Sequence, residues 1–308
     1  MDDELHLYDL VFPAVDSQGA GVQMHTFRAV MDYGTPAMKT WWMNTTASSA
    51  LAGTVTALQE MKIDWSVVSH TEYGWASNGG NPYVQSVRTR RGTVWTKEEQ
   101  WLDSTGNVTQ KRVYNPDQLF ANARTYNYSY LRDGYYELAT GPHIRNRVTS
   151  ATYTAGGQTY TLATNLYDGV WPQDNWAADC TGRRLHDAAY GTSYVARGNV
   201  TAATARGMAG TKLMMYDIGG NLISTTGGGA PAVDTTFANV TNYMTPATVT
   251  PNSQANLATS AQWDGLLRLT SATGPSGATV SVAGYDTSSR PTSTTSPAGA
   301  VTTYTYSK

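Results

Sequence analysis

The sequence predicts an all-β protein made of tandem antiparallel β-hairpins that together form a long curved sheet or strip. Three observations support this fold class: similar segments recur about every 22 residues, their flanks are rich in Thr, Val, Tyr and Ser, and Gly-Asn or Pro-Gly turn signals separate them. β-branched and aromatic residues suit a pleated surface, and these pairs suit tight turns. A period of this length holds two strands of about seven residues with their turns.

Composition divides the chain into two regions, without a linker between them. Residues 1–187 contain eight of the nine tryptophans and most of the charged residues, and we interpret them as a Trp/Tyr-rich, degenerate repeat-like β region. Residues 188–308 form a Thr/Gly-rich repeat region. We therefore expect the regular hairpins in the second region and worn copies of them in the first.

One segment of the first region has a helical pattern. In "SALAGTVTALQEM", residues 49–61, apolar side chains fall near helical spacing at positions 50, 51, 55, 58 and 61. This spacing predicts a helix, although Gly53 and two threonines weaken it and an all-β context competes with it.

The repeats are clearest in four segments that begin at residues 194, 216, 263 and 285. "YDIGGNLISTT" and "YVARGNVTAAT" align their Gly-Asn pairs 22 residues apart, and "WDGLLRLTSAT" and "YDTSSRPTSTT" align their arginines at the same offset. A Gly-Asn pair predicts a two-residue hairpin turn. The predicted structural motif residues are Tyr194, Gly198, Asn199, Tyr216, Asp217, Gly220, Asn221, Trp263, Asp264, Arg268, Tyr285, Asp286 and Arg290.

These segments resemble the YD-repeat, or RHS (rearrangement hotspot), family. The resemblance extends over about residues 85–308, includes the worn copy "WLDSTGNVTQ" from Trp101, and is similar to RHS proteins of soil bacteria such as acidobacteria. It implies a scaffold of stacked hairpins of the kind that forms hollow shells. The self-cleavage signature and variable toxin found in long members of the family are not visible in this sequence.

No residue pattern indicates catalysis, a cofactor or a metal site. The five histidines lack metal-ligand spacing, Cys180 is the single cysteine, and no nucleophile-elbow motif occurs. His186-Asp187 is a poor dyad, because neighbouring side chains on a strand face opposite sides. A net charge of −2 gives no basis for nucleic-acid binding, and we interpret the basic cluster at 88–92 as a solvated face.

Tryptophans provide the alternative hypothesis, which is contact with glycans. Trp41, Trp42, Trp171 and Trp176 are the candidate contacts, although a fold poor in Phe also needs Trp and Tyr as packing material. The loop "WPQDNWAADCTG", with Asp174 and Asp179, could likewise hold a sugar or a calcium ion or simply be a pinned loop.

Function follows from the period, the low charge and the missing active-site motifs. We expect a non-enzymatic structural protein, either a segment of an extracellular shell or a self-assembling β-rich filament, with a glycan-binding adhesion module as the alternative. Its expected partners are other copies of itself or flanking repeats and, under the alternative, glycans, with no nucleic acid and no membrane span. No apolar stretch is long enough for such a span, and the N-terminus is no signal peptide. Because Tyr8-Asp9 and the final "TTYTYSK" stand mid-rhythm, we expect a piece of a longer extracellular or cell-surface chain.

Overall fold

The computed structural model describes residues 8–11, 27–32, 37–44, 50–62, 64–119, 121, 123–132, 134–137, 143–169, 182–192, 194 and 196–307. The described residues form 21 β-strands, one short helix at Gly134–Glu137, and three 3-10 turns at Ala188–Tyr190, Asn239–Thr241 and Ala255–Leu257. No helix in these ranges is long and apolar enough to cross a membrane. The chain divides into two compact units, residues 1–129 with 150–162 and residues 130–149 with 163–308.

The first unit is an antiparallel meander, in which each strand pairs with the next strand in sequence. Its hairpins are longest in the middle of the unit. The strands are β1 Tyr8–Val11, β2 Phe27–Asp32, β3 Ala37–Met43, β4 Val55–Lys62, β5 Val67–Asn78, β6 Asn81–Arg91, β7 Val94–Leu102, β8 Val108–Val113 and β9 Arg124–Tyr130. Two further strands, β10 Val148–Ala155 and β11 Gln158–Tyr167, contribute residues to both units.

The second unit continues the same antiparallel order from β11 onward. Its strands are β12 Val200–Ala205, β13 Lys212–Tyr216, β14 Leu222–Gly227, β15 Val233–Phe237, β16 Pro246–Pro251, β17 Thr259–Trp263, β18 Leu269–Thr273, β19 Thr279–Tyr285, β20 Pro291–Thr295 and β21 Val301–Thr303. The all-β fold and the tandem antiparallel hairpins predicted from the sequence are therefore confirmed.

The helix predicted over residues 49–61 is wrong. Residues 55–62 form β4 instead, which pairs with β3 on one side and β5 on the other. A strand with partners on both sides satisfies its backbone groups in two ladders, which outweighs a weak helical preference that contains Gly53 and two threonines.

The turns also differ from the two-residue form that a Gly-Asn pair predicts. In the turn after β13, Asp217 N–H donates to the carbonyl of Asn221 (3.0 Å) and Gly220 N–H donates to the carbonyl of Asp217 (3.0 Å). The loop therefore has three residues, and only Gly220 has positive φ (82°), whereas a two-residue turn of that type needs two such residues. The register shifts beside the turn, between Met215 and Tyr216, which is the bulge expected of a three-residue hairpin.

Few side chains are deeply buried in the described part of the chain. The apolar ones are Ala29, Met38, Tyr114, Tyr136, Ala196, Ala202, Ile223 and Tyr243, and the polar ones are Thr40, Thr201, Asp217, Thr225 and Thr241. Most strand residues are half-buried. With so little core, contacts between consecutive hairpins must contribute much of the stability, as in other repeat proteins.

Candidate functional site: the repeat junctions

An aspartate closes the turn at five of the described junctions between repeats, those of Asp103, Asp168, Asp217, Asp264 and Asp286. In the turn after β13, one carboxylate oxygen of Asp217 accepts the N–H groups of Gly219 and Asn221, both at 2.8 Å. The other oxygen accepts from the side-chain amide of Asn221 at 2.7 Å. Asp217 is only 1% exposed, so its charge is stabilised by these donors rather than by water.

The same clamp occurs in the two turns where arginine replaces asparagine. Asp264 accepts the backbone N–H of Arg268 (3.1 Å) and its Nε (2.7 Å), and Asp286 accepts the same two groups of Arg290 at 2.9 and 2.7 Å. The arginine therefore takes the place of the asparagine side chain, as the sequence alignment of the repeats predicted.

Asp103 forms a further copy of the clamp in the first unit. Its carboxylate accepts the backbone N–H groups of Thr105 (2.8 Å) and Asn107 (3.0 Å), the Thr105 hydroxyl (2.7 Å) and the Asn107 side chain (3.2 Å). The sequence placed this copy by its aromatic and its Gly-Asn pair but did not single out the aspartate.

The clamps of Asp103, Asp264 and Asp286 lower the pKa of their carboxyl groups. For Asp103, desolvation acts to raise the pKa, but the hydrogen bonds from Thr105 and Asn107 outweigh it and lower the pKa to about 2. For Asp264, desolvation is likewise outweighed by hydrogen bonds from Arg268, so the pKa falls. The backbone N–H of Arg290 is the main cause of the lowered pKa of Asp286. The ionised form is thus the one that fits these three turns.

An aromatic residue at the end of a strand fastens its own repeat to the preceding one in several repeats. The Tyr285 hydroxyl donates to the carbonyl of Leu269 (2.5 Å), and the indole N–H of Trp263 donates to the carbonyl of Pro246 (2.8 Å). Tyr306 donates to the carbonyl of Pro291 in the same way, at 2.7 Å. We call this contact the aromatic staple.

The clamp arginines extend across the same boundary. The Arg268 guanidinium lies 4.7 Å from the ring centroid of Tyr285, and that of Arg290 lies 4.2 Å from the ring centroid of Tyr306. Each arginine therefore closes its own turn and contacts the aromatic ring of the following repeat, at a distance typical of cation–π attraction.

One junction is split in the sequence. Asp168 accepts the backbone N–H groups of Gly198 (2.6 Å) and Asn199 (3.1 Å), and its own N–H donates to the carbonyl of Asn199 (3.0 Å). The aspartate and asparagine are 31 residues apart here, against 4 in the other clamps. An inserted segment, residues 169–197, thus begins and ends at a single turn.

Contacts from the preceding residues complete the split junction. The Tyr136 hydroxyl donates to Asp168 (2.6 Å), and Arg147 Nε donates to the carbonyl of Gly198 (2.8 Å). The aromatic staple is Tyr167, whose hydroxyl donates to the carbonyl of Val148 at 2.8 Å. The sequence alignment put Tyr194 in the aromatic position, but Tyr194 lies within the inserted segment, edge-on to Tyr190.

The sequence could have revealed this junction through one signal. Tyr167-Asp168 is a Tyr-Asp pair at the end of a Thr-rich run, and Gly198-Asn199 lacks an aspartate four residues before Asn. The two half-motifs complement each other, although nothing in their separation indicates that they meet.

The other candidates from the sequence occupy structural positions. Arg88 and Arg90 both lie near the Trp95 ring, at 4.5 and 5.6 Å from its centroid, rather than on a free basic face. Asp187 accepts from the N–H of Ala189 and caps the 3-10 turn. Within the described ranges, no group of three His, Cys, Asp or Glu side chains is placed to hold a metal ion.

The candidate glycan contacts form no exposed row among the described residues. Trp41 and Trp42 are half-buried in β3, and Trp42 lies edge-on to His70. Trp65 is the tryptophan that stands out, at 67% exposure. Trp171 and Trp176, together with Asp174, Asp179 and Cys180, lie outside the described residues.

Comparison with known proteins places two of the junctions in a known repeat. The RHS Repeat family model matches residues 263–301, the range that contains the clamps of Asp264 and Asp286. No curated protein matches the sequence.

Two solved structures share the fold of this chain. One is the crystal structure of TcdB2-TccC3 without its hypervariable C-terminal region (TM-score 0.59, 10% identity), which matches over 97% of this chain and 22% of that one. The other is the crystal structure of TcdB2-TccC3-TEV (TM-score 0.56, 10% identity), which matches over 93% of this chain and 21% of that one. The chain spans about a fifth of the length of these structures.

Proposed function

We propose that this RHS-repeat chain is a non-enzymatic structural segment of an extracellular shell wall. The observation that supports this function best is the repeat junction. At the junctions of Asp264 and Asp286, the Asp, Arg and aromatic side chains could in principle take part in chemistry. They are instead engaged in closing a turn or in contacting a neighbouring repeat. An active site would instead direct such groups toward a common point in a cleft.

The junction also suits a wall built by extension. Successive repeats over residues 246–306 contact one another through the same staple, and those of Arg268 and Arg290 also through the same arginine–aromatic contact. Further hairpins can therefore be added without a new kind of interface. The shared fold with TcdB2-TccC3 supports this reading at the level of architecture.

A self-assembling filament is the second candidate, and the exposed strand β21 favours it. β21 pairs with β20 on one side, and Val301 within it is 63% exposed. Strands with unpaired backbone groups recruit other strands. In a shell, flanking repeats of a longer chain would cover this edge, whereas in a filament a second copy would.

Negative-stain electron microscopy of the purified chain, with light scattering over a range of concentrations, tests the proposal. Dispersed monomers without catalytic activity support a wall segment, and regular fibres support the filament. A monodisperse monomer that hydrolyses glycosidic, ester or peptide bonds, with an activity that is lost on mutation of an acidic residue, would overturn both.

The extracellular location is tested separately. Fractionation of the producing cells, followed by protease treatment of intact cells, should find the chain in the medium or digest it at the surface. Full protection inside intact cells would contradict this part of the proposal.

A further inference from the structure

An open pocket of about 690 Å³ lies in the second unit, where the inserted segment meets the turn of Asp217. Its lining residues are 183–186, 190, 194, 196 and 197 from the inserted segment, 218, 219 and 221 from the turn, 242–244 from the following loop, and Ile144. Asn242 fixes this arrangement, because its side chain accepts from the N–H of Arg184 (2.6 Å) and donates to the carbonyl of the same residue (3.0 Å). The pocket is therefore a product of the insertion, and regular repeats lack the segment that forms it.

The lining is cationic. Arg183, Arg184 and Arg197 contribute the positive charges, and Asp217 beneath them is 1% exposed and bound by its own turn. Arg197 donates to three backbone carbonyls, those of Tyr190, Gly191 and Ile218, and so joins the inserted segment to the turn of Asp217.

Arg183 is the basic residue best placed to hold an anion. Its side chain is 13% exposed, so it is largely withdrawn from water. Its contacts are a long hydrogen bond to the carbonyl of Tyr243 (3.5 Å), a 3.9 Å approach to the Asp217 carboxylate and the Tyr243 ring. A guanidinium has five N–H donors, and these contacts leave most of them available to a ligand.

Gly219 shows that the position of Arg183 is built into the turn. A Cβ at Gly219 would lie 1.3 Å from an Arg183 nitrogen, so the guanidinium lies directly against the backbone there. The turn itself does not need glycine at this place, because Thr105, Leu266 and Ser288 occupy it in the other three clamps. The absence of a side chain at Gly219 therefore makes room for the guanidinium.

Tyrosines contribute aromatic faces to the lining. Tyr190 and Tyr194 meet edge to face, with ring centroids 4.8 Å apart, and both line the pocket. Aromatic faces pack against the C–H faces of sugar rings, and a volume of several hundred Å³ suits a small polar ligand.

We propose that this pocket binds an acidic sugar of one or two units, with Arg183 and Arg184 holding its oxyanion and the tyrosines contacting its ring. A carboxylate and a phosphate present similar pairs of oxygens to a guanidinium fork, so the oxyanion is either a uronic acid carboxylate or a sugar phosphate. This function goes beyond the structural role and does not depend on it.

Isothermal titration calorimetry of the whole chain tests the proposal with four probes: digalacturonic acid, glucose 6-phosphate, neutral galactobiose and inorganic phosphate. We expect one of the acidic sugars to bind with Kd at or below about 1 mM, and galactobiose to bind at least about tenfold more weakly. The stronger of the two acidic probes identifies the oxyanion.

Gly219→Ala is the decisive variant, because it displaces Arg183 while retaining every charge. We expect it to weaken binding about tenfold, as the loss of a charge-assisted hydrogen bond does. Gly265→Ala is the matched control, since a Cβ there meets nothing within 4 Å, and it should bind as the wild type does. Arg184→Gln, at an exposed position, should also weaken binding without affecting folding.

Three results would overturn the proposal. They are no heat of binding with either acidic sugar, equal affinity for galactobiose, and equal affinity in Gly219→Ala and wild type when circular dichroism shows both folded. Binding of inorganic phosphate as tight as that of the acidic sugars would indicate a simple ion site and would contradict recognition of the ring.

Discussion

The aspartate of each clamp closes its turn through side-chain hydrogen bonds, and the residues at the same place in other hairpin turns accept fewer of them. In the turn between β20 and β21, Ser296 accepts one hydrogen bond, from the N–H of Ala300 (3.1 Å). The turn between β18 and β19 has Gly274 at this place and closes through backbone hydrogen bonds. The carboxylate of Asp217, by contrast, accepts from two backbone N–H groups and one side chain. This difference explains why the motif specifies aspartate in one turn of each repeat.

Asp103 makes stability depend on pH in a defined window. Its pKa is about 2 in the folded state, below the ordinary value of 3.8. A lowered pKa in the folded state means that the stabilisation is complete above pH 4 and is lost as the pH falls toward 2. We expect Asp103→Asn to lower the free energy of unfolding by about 1 kcal/mol at pH 6, after allowance for solvent screening.

Urea unfolding of both proteins between pH 6 and pH 2 measures this difference. The two curves should converge toward pH 2. A constant difference over the whole range would show that Asp103 acts by shape rather than by charge.

Leu267 occupies a strained position in the clamp of Asp264. Its φ is 63°, and Gly220 and Gly106 occupy the same place in two other clamps. Since a left-handed backbone costs a residue with a side chain about 1 kcal/mol or more, Leu267→Gly should raise the free energy of unfolding by about 0.5 kcal/mol after the entropic cost of glycine. Leu266→Gly, one residue earlier and without positive φ, should lower it, as urea unfolding can check.

At the scale of the element, the hairpin is bound to its neighbour through one aromatic residue. The tyrosine or tryptophan stands at a register shift, as between Gln262 and Trp263 or between Gly284 and Tyr285. The bulge bends the strand and redirects the side chain toward the preceding hairpin. Aromatic, bulge and turn thus form one unit at the turns of Asp264 and Asp286.

Tyr285→Phe tests the staple with a minimal change. The ring and its contact with Arg268 remain, but the hydrogen bond to the carbonyl of Leu269 is lost, so the free energy of unfolding should fall by about 1 kcal/mol. Tyr285→Leu also removes the ring and should cost about 0.5–1 kcal/mol more. Tyr128→Phe is the control and should have little effect. Equal stability of Tyr285→Phe and wild type in urea would contradict the staple.

The elements could be predicted from the sequence where the signal was periodic. Recurrent turn pairs and β-branched flanks identified the hairpins of the second region. Arg268 and Arg290 close their turns with the same aspartate contact that Asn221 makes in its own turn. The strand at 55–62 was missed because pairing on both sides decides its conformation, and a sequence window does not contain its partners. The staples were missed because each joins residues 15 or more positions apart.

At the scale of the whole molecule, the boundary predicted near residue 188 stays a prediction about composition. The compact units of the structure divide the chain at other places, with residues 130–149 in the second unit. The split junction accounts for this assignment in part, since Tyr136 and Arg147 bind Asp168 and Gly198. The sequence shows the change in composition, but only the fold shows which segments meet.

The open edge of β21 leads to a prediction about association. Tyr304 N–H donates inward to Thr292, and Thr302 pairs with Thr294, so the N–H groups of Val301 and Thr303 point away from β20. Thr303→Pro removes an outward donor and should reduce concentration-dependent association, while Thr303→Val keeps the donor and should not. Light scattering of the variants at matched concentrations measures the effect, and equal association of both would exclude this edge.

The split clamp at Asp168 has a consequence for how the chain could be altered. Its two strands, β11 and β12, remain in register whatever lies between them, because the ladder and the carboxylate hold both ends together. Extending a loop from about three to about thirty residues costs only about 2 kcal/mol in closure entropy. We therefore expect this turn to accept foreign sequences of varied length, and a protease site grafted there to yield two fragments that still co-elute as one folded protein. The length and sequence of the segment inserted at this turn can therefore change while the strand pairing on either side is kept.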